Sequence, residues 1–343
     1  MPLTDLSLTE LRAYRPDVDE PEDFDAFWAR SIAEARRNDL DVRLVPVANK
    51  LALIDTFDLS FAGYGGTPVR AWLHVPAGTR TPLPTVVQYH GYSWGRGFPH
   101  SSTLWAQAGY AHLVLDTRGQ GWAVGGDSVT ADASTDAGAS HTPGFMTAGI
   151  TDPDTYYYRR VYVDAVRLLE VAQSLDVVDP DRLVVTGASQ GGGLAIAAAG
   201  LAPAAGIRLL GAAPDVPFLC HFTRALELSA SRPYAEIVEY LAGWRHHAAA
   251  AYRTLSYIDG VNLARRAEAP ALFSVGLMDP VCPPSTVFAA FNHWGGRTGS
   301  PAPADIAVYP HNEHEGGAHY QLDAQLDWFA SLFAPPRPRT ARR

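Results

Sequence analysis

Gly187-Ala188-Ser189-Gln190-Gly191 stands between a β-branched run, Arg182-Leu183-Val184-Val185-Thr186, and a stretch from Gly192 onward that is nearly all small or apolar. The pentapeptide has the form Gly-x-Ser-x-Gly. Strand, sharp turn and buried helix are the setting in which this form becomes a nucleophile elbow. The need for glycine is steric, because a turn tight enough to lift a serine hydroxyl above a sheet leaves no room for side chains two residues either side. Ser189 is therefore the candidate nucleophile.

Outward from the elbow, strand-like and helix-like segments alternate. Residues 85–89 and 111–115 are compact apolar runs separated by a helical stretch at 101–108, the order of a parallel crossover. Residues 54–76 read as two alternating runs around Gly63-Tyr64-Gly65-Gly66, an antiparallel hairpin feeding the sheet. Val161, Ala165, Leu168, Leu169 and Ala172 share one face of a helix over 156–175, and residues 208–213, 271–276 and 305–309 supply later strands before a final helix over 318–333. Between two of these strands, residues 218–230 and 234–257 read as helices interrupted at Pro233, an insertion placed to cover a pocket as a cap. The glycine-rich segment 118–155 shows little periodicity and, following a strand, reads as an active-site wall. Near the start, Pro21 with Glu22, Asp23 and Asp25 resembles a helix first turn, followed by Phe24, Phe27, Trp28 and Ile32 on one face. The expected organisation is one α/β domain over 1–334, with an N-terminal helical extension over 1–45, a cap insertion over 214–260 and a frayed tail over 335–343.

Composition narrows the function classes. The chain has 343 residues, 47% hydrophobic and 18% charged, enough to bury a large core, and a net charge of −9 with dispersed basic residues argues against nucleic-acid partners. The N-terminus lacks a charged start followed by an apolar core, and no apolar run reaches membrane-spanning length, so a cytoplasmic location without a membrane partner is expected. Two cysteines, Cys220 and Cys282, make neither a disulfide framework nor a cysteine metal cluster, and both read as packed thiols.

A serine hydroxyl needs a histidine base, and the histidine needs a carboxylate to fix its tautomer. In α/β-hydrolases the order along the chain is Ser, Asp, His. Asp279 lies just past the 271–276 strand, where a carboxylate projects from the strand's C-terminal end; before a proline, it also has the makings of a turn former. Asp215 follows a strand too, but comes before the cap and ranks lower. His314 lies just past the next strand, and from spacing alone His311 and His319 compete with it. His90-Gly91-Tyr92 follows the 85–89 strand, where this fold places an oxyanion loop, so the backbone N–H groups of Tyr92 and Gln190 are the candidate donors. Cys282 lacks the elbow setting, and His246, His247 and His293 lie on helical stretches that favour surface or packing roles. Glu313-His314-Glu315 lacks the second histidine that a metal site on one helical face requires. No dinucleotide or phosphate-binding fingerprint occurs, and the triad chemistry needs no cofactor.

Taken together, these segments resemble the acetyl xylan esterase and cephalosporin C deacetylase family, carbohydrate esterase family seven, over nearly the whole chain. The resemblance rests on Tyr14-Arg15-Pro16, Asp23-Phe24-Asp25-Ala26-Phe27-Trp28, His90-Gly91-Tyr92, Arg118-Gly119-Gln120-Gly121, Ser189-Gln190-Gly191-Gly192, Asp279-Pro280-Val281-Cys282-Pro283-Pro284-Ser285-Thr286 and His314-Glu315. It implies an α/β-hydrolase fold, a mostly parallel sheet with helices on both faces and a small helical cap. It selects Ser189, Asp279 and His314 as the triad over His311 and His319, and places Tyr92 and Gln190 at the oxyanion and substrate site. It further implies a homo-hexamer and the deacetylation of small acetylated carbohydrates such as xylo-oligosaccharides, with cephalosporin C as a further substrate. Two departures stand out: Glu313 where the family commonly has glycine, and the bulky Trp122-Ala123-Val124 after Gly121. Another acyl hydrolase on the same scaffold, such as a peptidase or a longer-chain esterase, is the nearest competing reading; a non-catalytic binding protein of this fold is the distant one.

Overall fold

The computed structural model describes residues 5–132, 142–297 and 302–334. The expected frayed tail, 335–343, lies outside the described residues, as does the middle of the 118–155 wall. In chain order the elements are α1 (Leu8–Ala13), α2 (Phe24–Ala35), β1 (Arg43–Val47), β2 (Ile54–Ala62), β3 (Pro68–Pro76), β4 (Leu83–Tyr89), α3 (Leu104–Gln107), β5 (Ala111–Leu115), α4 (Tyr157–Ser174), β6 (Val178–Ala188), α5 (Gln190–Ala205), β7 (Gly211–Asp215), α6 (Phe222–Leu228), α7 (Tyr234–Gly243), α8 (Ala248–Ile258), α9 (Gly260–Ala264), β8 (Ala271–Gly276), α10 (Pro284–His293), β9 (Ala304–Tyr309) and α11 (Ala318–Phe333).

Nine strands form one sheet in the order β1-β2-β3-β5-β4-β6-β7-β8-β9. The first three are antiparallel to their neighbours, and from β5 to β9 every pairing is parallel. Alternation along the strands divides the core. Val87, Val185 and Ala212 face the larger layer with α2, α4, α5, α9 and α10, while Val86, Val184 and Ala213 face Trp105 of α3 and Phe329 and Phe333 of α11. Helices thus cover both faces, as parallel strands buried on both sides require.

The aromatic face of α2 docks as its spacing implies: Phe24, Phe27, Trp28 and Ile32 are buried, and the Trp28 indole N–H donates to the Tyr257 carbonyl at 3.0 Å. The helix starts three residues after Pro21, with Asp23 as N-cap. The segment expected as one helix over 234–257 is broken at Trp244, whose φ of −110° and ψ of 58° leave the helical region, so α7 and α8 are separate. Edge strand β1 was not foreseen, because its Arg-Leu-Val-Pro-Val is mostly exposed and shows no alternation. The strands that matter for the site, β4, β6, β8 and β9, all end on the same edge of the parallel region, and their C-terminal loops converge there.

Candidate active site

Ser189 sits between β6 and α5 with φ 58° and ψ −121°, a conformation costing about 1–3 kcal/mol for a residue with a side chain. The strain is held by backbone bonds: its N–H donates to Asp215 O at 3.0 Å, and its carbonyl accepts from Gly193 at 3.0 Å and Phe218 at 2.9 Å. A Cβ on Gly187 would lie 2.5 Å from the Gly191 carbonyl carbon and 2.6 Å from the Tyr89 oxygen, and one on Gly191 would collide with the same Tyr89 oxygen. The steric reason for both glycines is therefore the passage of α5 hard against the end of β4.

From Ser189 a hydrogen-bonded relay runs inward. Ser189 Oγ is 2.9 Å from His314 Nε2, and His314 Nδ1 is 2.8 Å from Asp279 Oδ2. The other Asp279 oxygen accepts the backbone N–H groups of Val281 at 2.8 Å and Cys282 at 2.9 Å. The turn-forming capacity of an Asp before Pro280 and its contact with the histidine are thus two uses of one carboxylate. His311 and His319 are exposed and make no contact with Ser189. The Asp215 side chain turns the other way, accepting Gln321 Nε2 at 2.9 Å and Gln325 Nε2 at 2.7 Å, and burial raises its pKa to about 7. The Glu315 carboxylate closes the histidine turn by accepting Asn312 Nδ2 and the Glu313 N–H, and its pKa is lowered first by its own backbone N–H and then by these two bonds.

The loop His90-Gly91-Tyr92, expected from the sequence as the oxyanion loop, lies across from the elbow. Gly91 approaches Ser189, with an added Cβ only 3.9 Å from that of the serine. Neither Tyr92 N–H nor Gln190 N–H has an acceptor among the described residues. The Gln190 side chain is fully buried and points away from the cleft: Nε2 donates to the His90 carbonyl at 3.2 Å, and Oε1 accepts Tyr158 Oη and Gln120 Nε2, each at 2.9 Å. Gln120 Oε1 in turn accepts Ser93 N–H at 2.7 Å. Arg118 of the same motif is buried in a paired contact with Asp164, 2.5 and 2.8 Å. The Arg-Gly-Gln-Gly segment is thus the brace under the oxyanion loop.

Ser189 and His314 open on a cleft of about 370 Å³, walled by Tyr92, Trp94, Pro143, Pro233, Glu236 and Val281. A larger cleft of about 600 Å³, between the end of α5 and Leu332, includes none of Ser189, Asp279 and His314. Glu236 comes from α7, so sequence reasoning missed it; no local pattern marks it. Its carboxyl pKa is raised by burial, against the opposing hydrogen bond from Tyr92. Trp122, the departure noted in the sequence, is 60% exposed, and its turn is tied to the loop by Gly121 and Ala123 N–H groups donating to the Ser93 carbonyl. Asp279, His314 and Cys282 bring three potential metal-ligating atoms within 4.8 Å of one another. They do not fit a metal: the facing carboxylate and imidazole atoms are bonded to each other, and burial pushes the Cys282 thiol pKa well up, keeping it a protonated, weak ligand.

The "Acetyl xylan esterase (AXE1)" family profile matches residues 1–332. The chain is similar to the acetyl xylan esterase from Paenibacillus sp. R4, with 39% identity, a TM-score of 0.85 and coverage of 95% of this chain and 99% of that one. It is similar to acetyl xylan esterase 1 from Thermoanaerobacterium sp. JW/SL YS485, with 32% identity, a TM-score of 0.84 and coverage of 96% and 100%. Acetyl esterase Axe7A of Xylanibacter ruminicola is 28% identical over 316 residues, 88% of this chain, which spans 65% of that protein's length. A prolyl endopeptidase at 21% identity and a TM-score of 0.59 shares the fold alone. With a profile match over almost its whole length and two such relatives superposing end to end, the chain belongs to the acetyl xylan esterase family.

Proposed function

We propose that this protein is a serine esterase that removes acetyl groups from small acetylated carbohydrates, xylo-oligosaccharides foremost, through an acyl-enzyme. The observation that carries the reading is the unbroken Ser189–His314–Asp279 relay opening on a small cleft. Ser189 Oγ attacks the acetyl carbonyl carbon as His314 Nε2 takes the hydroxyl proton. The carbonyl oxygen, now negative, is received by the N–H groups of Tyr92 and Gln190. The bond to the sugar oxygen breaks, and His314 returns the proton to that leaving alkoxide. Water then attacks the serine ester, His314 takes the water's proton and passes it to Ser189 Oγ, and acetate departs. Asp279 keeps Nδ1 protonated throughout, so that Nε2 is free to act as base.

The wall supports the substrate class. Pro143, Pro233 and Val281 line the cleft with apolar surface for a methyl group, and Trp94, 51% exposed, adds an aromatic ring on which a pyranose can stack. The acetoxymethyl ester of cephalosporins presents the same acetyl group and belongs to the proposal as a second substrate. A series of p-nitrophenyl esters tests the acyl preference: kcat/KM falls from acetate to butyrate to octanoate, and a rise along the series contradicts it. A cytoplasmic hexamer is proposed from the family resemblance; light scattering of the purified protein tests the assembly. No described helix is long and apolar enough to cross a membrane.

A further inference from the structure

Tyr92 contributes more to the cleft than its backbone. Its phenol oxygen is held by four polar contacts: it donates to the Glu236 carboxylate, with 2.8 and 2.9 Å to the two oxygens, and accepts the backbone N–H groups of Gly144 at 3.2 Å and Phe145 at 3.0 Å. Glu236 also accepts the Met146 N–H at 3.4 Å. The Tyr92 ring packs edge-on against Phe145, centroids 5.6 Å apart, and Phe145 packs on Tyr157 at 5.0 Å. The backbone of the same loop is tied from below, through His90 O to Gln190 and Ser93 N–H to Gln120. The residue between these ties, Tyr92, has its own N–H left for an incoming oxyanion. The peptide that carries this N–H is held on its carbonyl side, where Gly91 O accepts the Trp94 N–H at 3.1 Å and Gln190 Nε2 at 3.5 Å, and the Tyr92 ring is the handle on its other side, at the Tyr92 Cα.

We propose that Glu236 is a positioning residue: by holding the Tyr92 hydroxyl, it aims the Tyr92 backbone N–H into the oxyanion hole and couples the cap helix α7 to transition-state stabilisation. This inference rests on the esterase reading above and names a further part of the same site. The physical basis is geometric. A phenol ring has few torsions, so fixing its far end restricts where the Tyr92 Cα sits and, with Gly91 O already held, narrows the swing of the Gly91–Tyr92 peptide. Without Glu236 the hydroxyl still accepts two N–H groups but has lost the acceptor that pulls it toward α7. An oxyanion donor is effective only near 2.7–3.1 Å from the developing charge, and losing one costs about 10²–10³ in kcat. Misaiming rather than deleting it costs a fraction of that.

The test compares wild type, Glu236→Ala, which removes the acceptor of the Tyr92 hydroxyl, and Tyr92→Phe on p-nitrophenyl acetate, which requires a working serine esterase but no sugar specificity. Both variants lower kcat about tenfold or more, a fraction of the full donor loss, with KM within about twofold. The double variant loses no more than the worse single one, because both act through one bond. The thermal midpoint is followed in parallel. A variant that loses stability but keeps the wild-type kcat identifies a purely structural contact and overturns the proposal. So does an unchanged p-nitrophenyl acetate kcat with KM raised only for acetylated xylo-oligosaccharide, which would make Glu236 a sugar contact. An inert wild type overturns the esterase reading and this inference together, whereas an active wild type with an unaltered Glu236→Ala overturns this inference alone.

Discussion

Replacing Asp279 by asparagine exchanges one carboxylate oxygen for an NH₂ group and, by this account, changes the tautomer of the base. One carboxylate oxygen accepts two backbone N–H groups, from Val281 and Cys282, and the other accepts His314 Nδ1–H at 2.8 Å. An asparagine has one oxygen to place. Turning its NH₂ toward Val281 and Cys282 would set donors against two donors in a site where the side chain has no solvent exposure, so the oxygen stays there and the NH₂ faces His314. His314 Nδ1 must then accept, which moves the ring proton to Nε2, the atom 2.9 Å from Ser189 Oγ. A protonated Nε2 donates to the serine and takes no proton from it. The wrong tautomer costs about 10⁴ in kcat in serine hydrolases with this arrangement, about 5–6 kcal/mol of barrier. The cleft walls are untouched, so KM stays within about twofold. Steady-state hydrolysis of p-nitrophenyl acetate against a Ser189→Ala background measures it. A kcat loss under about tenfold, or a loss carried by KM, refutes the tautomer argument.

Gly191→Ala places a methyl group against the Tyr89 carbonyl where α5 passes β4, so it is expected to destabilise the protein by about 1–3 kcal/mol and to reduce kcat by more than about a hundredfold. Urea unfolding and ester hydrolysis check it, and a wild-type result in both would mean the elbow has slack that the distances deny. His74 is fully buried, bonded to Thr56 at 2.8 Å, and its pKa is lowered by burial from 6.5 to about 4. The unfolded chain therefore binds the extra proton first: stability is intact above about pH 6.5 and is lost as pH falls toward 4, by about 2 kcal/mol at about pH 5. His74→Gln lacks this contribution, so the difference in unfolding free energy between about pH 7.5 and pH 5 shrinks by that amount; an equal difference in both proteins contradicts the assignment.

Much of the site was legible because its parts are locally encoded. The elbow announces itself through glycines whose crowding against Tyr89 is a property of any such turn, and β8 and α11 begin and end where the pattern places them. The histidine was not decided by spacing, since His311, His314 and His319 occupy one loop and helix start; geometry distinguishes them, with only His314 reaching Ser189. The role of Gln190 was half legible: its N–H is placed by the elbow, but its side chain braces Gln120 and His90 instead of facing substrate, a consequence of its burial under α4. Glu236 was invisible because it meets Tyr92 across 144 residues, and its position depends on how the cap folds back. The split of the cap at Trp244 was missed for a related reason: residues 234–257 have helical composition throughout, and tertiary packing decides where the chain turns.

The most direct test of the central claim is acetate release from acetylated xylo-oligosaccharides by the wild type and by Ser189→Ala. Steady release that disappears in the variant, with its circular dichroism unchanged, is the expected result. Release that persists in Ser189→Ala would remove the serine from the chemistry, and a wild type that cleaves p-nitrophenyl acetate but frees no acetate from the sugar would contradict the proposed substrate.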